Sequence, residues 1–175
     1  MPSLTDPTFA GSVVYVLDHN ETGTLGVVLG RPSEVRIRDV LPGWGELGVE
    51  PGVFHVGGPC ETDTALCLAA GPVGALPEGS GLRRVAGRMC LVDLDADPGG
   101  LVDLIGGLRV FAGYAGWSPG QLAGEIAQGA WAAVAGSPGD VLSEVAGEEL
   151  WHRVLGRQTG RLAVLSTATR DPRAN

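Results

Sequence analysis

The chain has no lysine. All twelve of its basic residues are arginine, set against twenty acidic ones, and the formal net charge is −8. Without lysine there is no phosphate loop of the G-x-x-x-x-G-K-[ST] kind, in which the lysine reaches the bound phosphates. The acidic balance also disfavours nucleic acid as a partner, because phosphate backbones are held by clustered cations. The arginine groups that exist, Arg36 with Arg38 and Arg83-Arg84 with Arg88, read as solvated strand faces.

Long apolar runs are missing too. Runs such as Val13–Leu17 fall far short of membrane-spanning length. The opening MPSLTDPTFAG carries no positive charge and puts Asp6 and Pro7 where a secretory leader needs an apolar stretch. The three cysteines, Cys60, Cys67 and Cys90, include no C-x-x-C pair. A cytoplasmic protein with reduced thiols and no membrane partner is expected. His19, His55 and His152 lie far apart and outside any H-x-x-x-H pattern, so no metal and no cofactor are expected. A G-x-S-x-G nucleophile elbow is absent. Asp93, Asp95 and Asp97 imitate the start of a calcium loop, but Pro98 and Leu104 stand where glycine and glutamate are required.

What the chain does have is glycine, 29 residues of it, with 12 prolines, interspersed among apolar runs as turn punctuation. At 175 residues and 44% apolar content it suffices for one well-cored domain. That domain is placed at 1–165, followed by a polar tail over 166–175 that frays. Asp6-Pro7 reads as a helix start. Strands are expected at 12–17 and 24–30, joined by a DHNETG turn longer than two residues. A short helix follows within 36–44, then strands at 53–56, 64–70 and 84–94, the last bulged at Gly87. Asp97-Pro98, with Leu101, Leu104, Ile105 and Leu108 at helical spacing, predicts a helix over 98–107. A strand over 109–114 leads to a capping box at Ser118 and Gln121. A strand at 130–134, a short helix opened by Ser137 with Asp140 at the box position, and a helix over 148–155 complete the reading. Irregular alternation of these elements points to an α+β fold with a mixed sheet.

The segments SVVYVLDHNETGTLGVVLGRPSE, FHVGGP, VDLDADP and FAGYAGWSPGQLAGEIAQGAW, in that order and spacing, resemble the YqgE/AlgH family of bacterial proteins, the middle of the chain being most similar to its actinobacterial branch. The resemblance runs from about Leu4 to Leu155. It implies a mixed sheet curled into a partial barrel with flanking helices, and little about chemistry. The label of transcriptional regulator is attached to the family. Relatives carry a G-x-L-L-x-A strand ahead of the point where this chain starts. Gly30 stands where they have Asn. Cys60 stands where they have Val, so a shared activity does not depend on that thiol.

Three loops are candidates for a ligand or partner site. The first is His19 and Asn20, the most polar of the matched segments. The second is Gly57, Gly58 and Pro59, for which a strand-ending turn is the plainer reading. The third is Gly113, Tyr114, Gly116 and Trp117 with Gln121. There the glycines either allow close backbone approach, or the helix start holds an anion beside an indole wall. His55 reads as a satisfied core residue, and Cys67 and Cys90 as inert ones. No catalytic residue is assigned. The favoured reading is a non-enzymatic binding or regulatory protein with an unidentified protein or small-molecule partner. The alternatives are an enzyme or small-ligand site where the three loops meet, and a transcriptional regulator, which the acidic charge disfavours.

Overall fold

The computed structural model describes residues 8–166. The helix start at Asp6-Pro7 and nearly all of the polar tail lie outside them. The chain opens with an antiparallel hairpin, β1 (Val14–Asn20) and β2 (Gly23–Val28). Asn20 pairs with Gly23, so the turn is the two residues Glu21-Thr22 and not the longer loop expected. The Asn20 side chain makes this possible: its Oδ1 accepts from the Thr22 amide at 2.8 Å, an Asx-type turn. A register shift between Val16 and Asp18 carries pairing through the polar Asp18-His19-Asn20.

Strand β3 (Pro32–Arg36) pairs antiparallel with β4 (Val53–Val56); between them come α1 (Ile37–Val40) and a 3-10 turn over Pro42–Leu47. Strand β5 (Cys60–Ala70) begins four residues before the expected start at Thr64. The single bulged strand expected over 84–94 is instead a hairpin of β6 (Leu82–Ala86) and β7 (Met89–Val92). Gly87, at φ 53°, makes its turn, and Arg84 holds it by donating to the Gly87 carbonyl at 3.1 Å.

The expected helix at 98–107 is only one 3-10 turn, Pro98–Leu101. Asp97 does cap it, accepting from the Gly99 amide at 3.0 Å. Glycines at 99, 100, 106 and 107 make helix costly, at about 1 kcal/mol each relative to alanine. The helical spacing of Leu101, Leu104 and Ile105 reflects a turn in which the Leu101 carbonyl accepts from both later amides.

Strand β8 (Leu108–Trp117) is central. The sheet order is β1-β2-β8-β5-β7-β6, with β4 also on β8, parallel where the other pairings are antiparallel. Residues 130–134, expected as a strand, form no regular element and join no sheet. Helices α2 (Gln121–Ala127), α3 (Pro138–Val141), α4 (Gly147–Gly156) and α5 (Arg161–Leu165) flank the sheet. The Ser137–Asp140 capping box is present, and α4 buries Leu150, Trp151, Val154 and Leu155 as its sequence spacing predicts.

The fold is α+β, a mixed sheet curled into a partial barrel. Leu17 of β1, Val27 of β2, Phe111 of β8, Leu68 of β5 and Met89 of β7 share one core, onto which Val85 of β6 packs. A second core between β5, β8 and the α1 region holds Ile37, Trp44, Phe54, Leu101, Leu108 and Val110. The third joins Val28, Ala115 and Trp117 to Phe9, Leu122 and Trp131.

Candidate functional site

Strands β4 and β5 lie on opposite edges of β8: Phe111 faces His55 on one side and Leu66 on the other. The three residues between them, Gly57, Gly58 and Pro59, must therefore pass over β8. They cross at Gly113 and Tyr114. A Cβ on Gly57 would lie 2.3 Å from the Gly113 carbonyl oxygen, and one on Gly58 2.2 Å from the Tyr114 carbonyl. From the other side, a Cβ on Gly113 would lie 2.7 Å from the carbonyl oxygens of both Gly58 and Cys60. Side chains have no room at this crossing, so both glycine motifs are explained by one contact. The Gly57 amide donates to Ala112 and its carbonyl accepts from Val28, so β2 takes over the edge of β8 where β4 leaves.

Gly113 has a second effect. Its φ of 71° breaks the alternation of β8. Phe111 points into the first core, whereas Ala115 and Trp117, which strict alternation would place on the same face, belong to the third. The bulge thus turns Trp117 outward, towards α2.

There Glu125 gathers the surrounding side chains. One carboxylate oxygen accepts from the indole N–H of Trp117 at 3.0 Å and of Trp131 at 2.9 Å; the other accepts from Gln121 at 2.9 Å. Burial would raise the Glu125 pKa, but these three donors outweigh it and hold it below the ordinary glutamate value. Gln121 accepts from the Ser118 amide at 2.9 Å, but the expected capping box does not form: α2 starts after Gly120, at φ 73°, and has no side-chain cap. The Gln121 amide donates to the Ser118 carbonyl. The two indole planes meet at 79° with centroids 6.0 Å apart, and Phe9 packs edge-on to Trp131 at 5.8 Å.

Beside this cluster lies an apolar groove of about 320 Å³. Val14, Tyr15 and Val16 of β1 form one wall and Leu122 and Ile126 of α2 another, with both tryptophans, the 132–134 segment and Ala86 of β6 around them. Strands β1 and β6 are the two ends of the strand order, so the groove occupies the seam where the barrel fails to close. Val16 and Ile126 on its rim are exposed, at 41% and 38%.

A second, wider depression of about 480 Å³ opens on the other side of Trp117. Asp18, Asn20, Thr22 and Thr24 of the hairpin line it together with Cys60, Tyr114, Gly116 and Ser118. Four residues of the sequence candidates therefore converge here: Asn20, Tyr114, Gly116 and Trp117. His19 stands one step back, its Nδ1 2.6 Å from the Thr24 hydroxyl. Gly57, Gly58, Pro59 and Gly113 belong to the crossing beneath, and Gln121 to the Glu125 cluster. Tyr114 hydrogen-bonds Glu61; desolvation first, then the Glu61 and Cys60 charges, raise its phenol pKa.

The sequence reading missed Arg109, an arginine 2% exposed at the second position of β8. It donates to the carbonyls of Val141, Glu50 and Ser143 at 3.0, 3.0 and 2.9 Å, and stands 2.8 Å from His55 Nε2. Burial lowers its pKa to about 10. Burial, then the Arg109 charge, lowers His55 to about 4, so that imidazole is neutral and serves Arg109 as an acceptor. The one available signal was an arginine inside the otherwise apolar run LRVF. Cys67 and Cys90 are buried as expected, and burial pushes the Cys67 thiol up. Among the described residues no three His, Cys, Asp or Glu side chains are grouped as metal ligands, and no helix is long and apolar enough to cross a membrane.

The AlgH-like family model matches residues 1–163. The chain belongs to the AlgH-like family. This AlgH-like chain is 51% identical over 176 residues to a UPF0301 protein of Streptomyces avermitilis, covering 99% of this chain and 91% of that protein. A UPF0301 protein of Mycobacterium ulcerans is 50% identical over 173 residues, covering 98% and 86%. The crystal structure of a Corynebacterium diphtheriae protein superposes with a TM-score of 0.87 at 35% identity, over 95% of this chain and 87% of that one. The solution structure of the AlgH protein from Pseudomonas aeruginosa superposes at 0.67 and 25% identity, over 97% and 90%. These likenesses support the family and the α+β fold. None names a reaction, and the regulator label rests on the family name alone.

Proposed function

We propose that this AlgH-like chain is a non-catalytic binding protein whose ligand is a small apolar molecule seated in the seam groove. The observation that carries this reading is the preformed apolar groove of about 320 Å³, with two indole walls fixed by one carboxylate. That volume lies within the range of small-molecule sites, which are mostly apolar with few polar groups. Fixed walls lower the ordering cost of binding. Titration with N-phenyl-1-naphthylamine, a neutral fluorescent probe, tests it. Saturable one-to-one binding is expected, and Ala133→Trp, at an exposed lining position, is expected to abolish it. Absence of saturable binding by the folded protein would sink the proposal.

A second reading takes the hairpin depression as a site for a polar ligand, favoured by the meeting of Asn20, Tyr114, Gly116 and Trp117 around it. Cys60 lines the same depression, so a ligand bound there would slow its maleimide labelling. A metabolite screen in which nothing protects that thiol would remove this reading. Three unpaired thiols support a cytoplasmic location, which cell fractionation tests.

A further inference from the structure

Resting on the groove reading above, we propose that the groove selects a ligand with a cationic head, an alkylammonium or amine, on an apolar body. The lining residues contain no arginine, lysine or histidine, so an anionic head such as a fatty-acid carboxylate would enter without a counter-charge. A cation meets the opposite situation. Trp117 and Trp131 both line the groove and stand nearly perpendicular, forming an aromatic corner. A cation within about 6 Å of an indole centroid is attracted by the ring quadrupole, and two rings at a right angle can share one cation. Both indole N–H groups donate to the same Glu125 oxygen, which puts a carboxylate directly behind the corner. That charge has no arginine partner in its hydrogen bonds, all three of which come from neutral donors, so its field is not cancelled locally. Tyr15 adds a third aromatic wall, and the apolar body would lie along Val14, Val16, Leu122 and Ile126. A quaternary ammonium suits such a corner well, since it needs no hydrogen-bond acceptor.

The test is calorimetric titration of the full chain, near neutral pH and at low salt, with three probes of one chain length. These are decyltrimethylammonium, decanol and decanoate, each kept below its micellar concentration. The ammonium is expected to bind about tenfold more tightly than decanol, and decanoate more weakly than decanol. Decanol binding with no advantage for the ammonium, or decanoate binding at least as tightly, overturns the charge selection while leaving the groove reading intact. If none of the three binds, the groove reading itself fails and this inference with it. Two variants locate the effect. Glu125→Gln, whose amide oxygen can still accept from the indoles, should bring the ratio of ammonium to decanol affinity close to one. Ile126→Lys, at a rim position where a charge remains solvated, should reverse the order in favour of decanoate. An unchanged order in Ile126→Lys would place the bound probe elsewhere and overturn the proposal.

Discussion

At Gly113, strand β8 is overrun by another segment of its own chain; at Trp117, further along the same strand, it borders open space. Gly57, Gly58 and Gly113 bring backbone onto backbone, and even a methyl group would collide. The seam groove is the reverse. Valines, tryptophans and α2 side chains surround a volume that no other described part of the chain occupies. Both regions are glycine-rich and aromatic in sequence, yet the first is structure and the second is opportunity. The difference teaches where tolerance lies: a residue whose environment is complete resists change, whereas one facing a void changes binding without changing the fold.

Four measurements sharpen that contrast. The largest effect is expected from Gly57→Ala. Its φ is ordinary, so the cost is pure collision with the Gly113 carbonyl, and a loss of 3 kcal/mol or more is expected at roughly the upper end for overpacking. Urea denaturation reads it; a variant within about 0.5 kcal/mol of wild type would dissolve the crossing argument.

Next comes acid. His55 titrates at an ordinary 6.5 when unfolded and about 4 when folded, so between these values the unfolded chain binds the extra proton. The stability from neutral His55 is thus complete above pH 6.5 and drains away as pH falls towards 4. The fall amounts to about 3 kcal/mol at most. His55→Phe is destabilised at neutral pH but should show a shallower profile through this window. A profile equally steep in the variant would assign the proton elsewhere.

Asp140→Asn ranks third. Asp140 is 3% exposed, receives both terminal nitrogens of Arg157, and accepts from the Ser137 amide at 2.9 Å. Burial alone would raise its pKa, but Arg157 and Ser137 hold it below the ordinary aspartate value. Losing its charge should cost about 2 kcal/mol, read as a lower urea midpoint, with Arg157 left facing an amide. The smallest effect on stability is expected in the groove: Ala133→Trp should leave the urea midpoint within about 0.5 kcal/mol while removing probe binding. If that variant is as damaging as Gly57→Ala, the groove is core and the comparison collapses.

Local chemistry made several features legible in advance. The Ser137–Asp140 box, the α4 stripe of Leu150, Trp151, Val154 and Leu155, and the Asp97 cap all depend on residues close in sequence. Strand β4 and the mixed sheet follow from apolar, β-branched runs between turn residues. The misreadings share a cause. Leu101, Leu104 and Ile105 looked helical by spacing, but the glycines around them and the core beneath Leu101 chose a turn. The AWAAV segment looked like a strand because its residues are apolar; it lines a groove instead and pairs with no strand.

The candidate site divides in the same way. The glycine motifs were visible as patterns, yet their partnership was not, because Gly57 and Gly113 are distant in sequence and meet only when β4 and β5 take opposite edges of β8. Likewise Glu125 is an ordinary helical glutamate until Trp117 and Trp131 deliver both indole N–H groups to it. The sequence alone determined the family, the charge, most strands and the caps at Asp97 and Ser137, since each rests on neighbours within a turn or on an ordered series of motifs. Tertiary structure decided that three glycines form one crossing, that Arg109 is buried on carbonyls and His55, and that the barrel stays open between β1 and β6. Those outcomes depend on which distant segments share an edge, and strand pairing between distant residues leaves no local mark on the residues that make it.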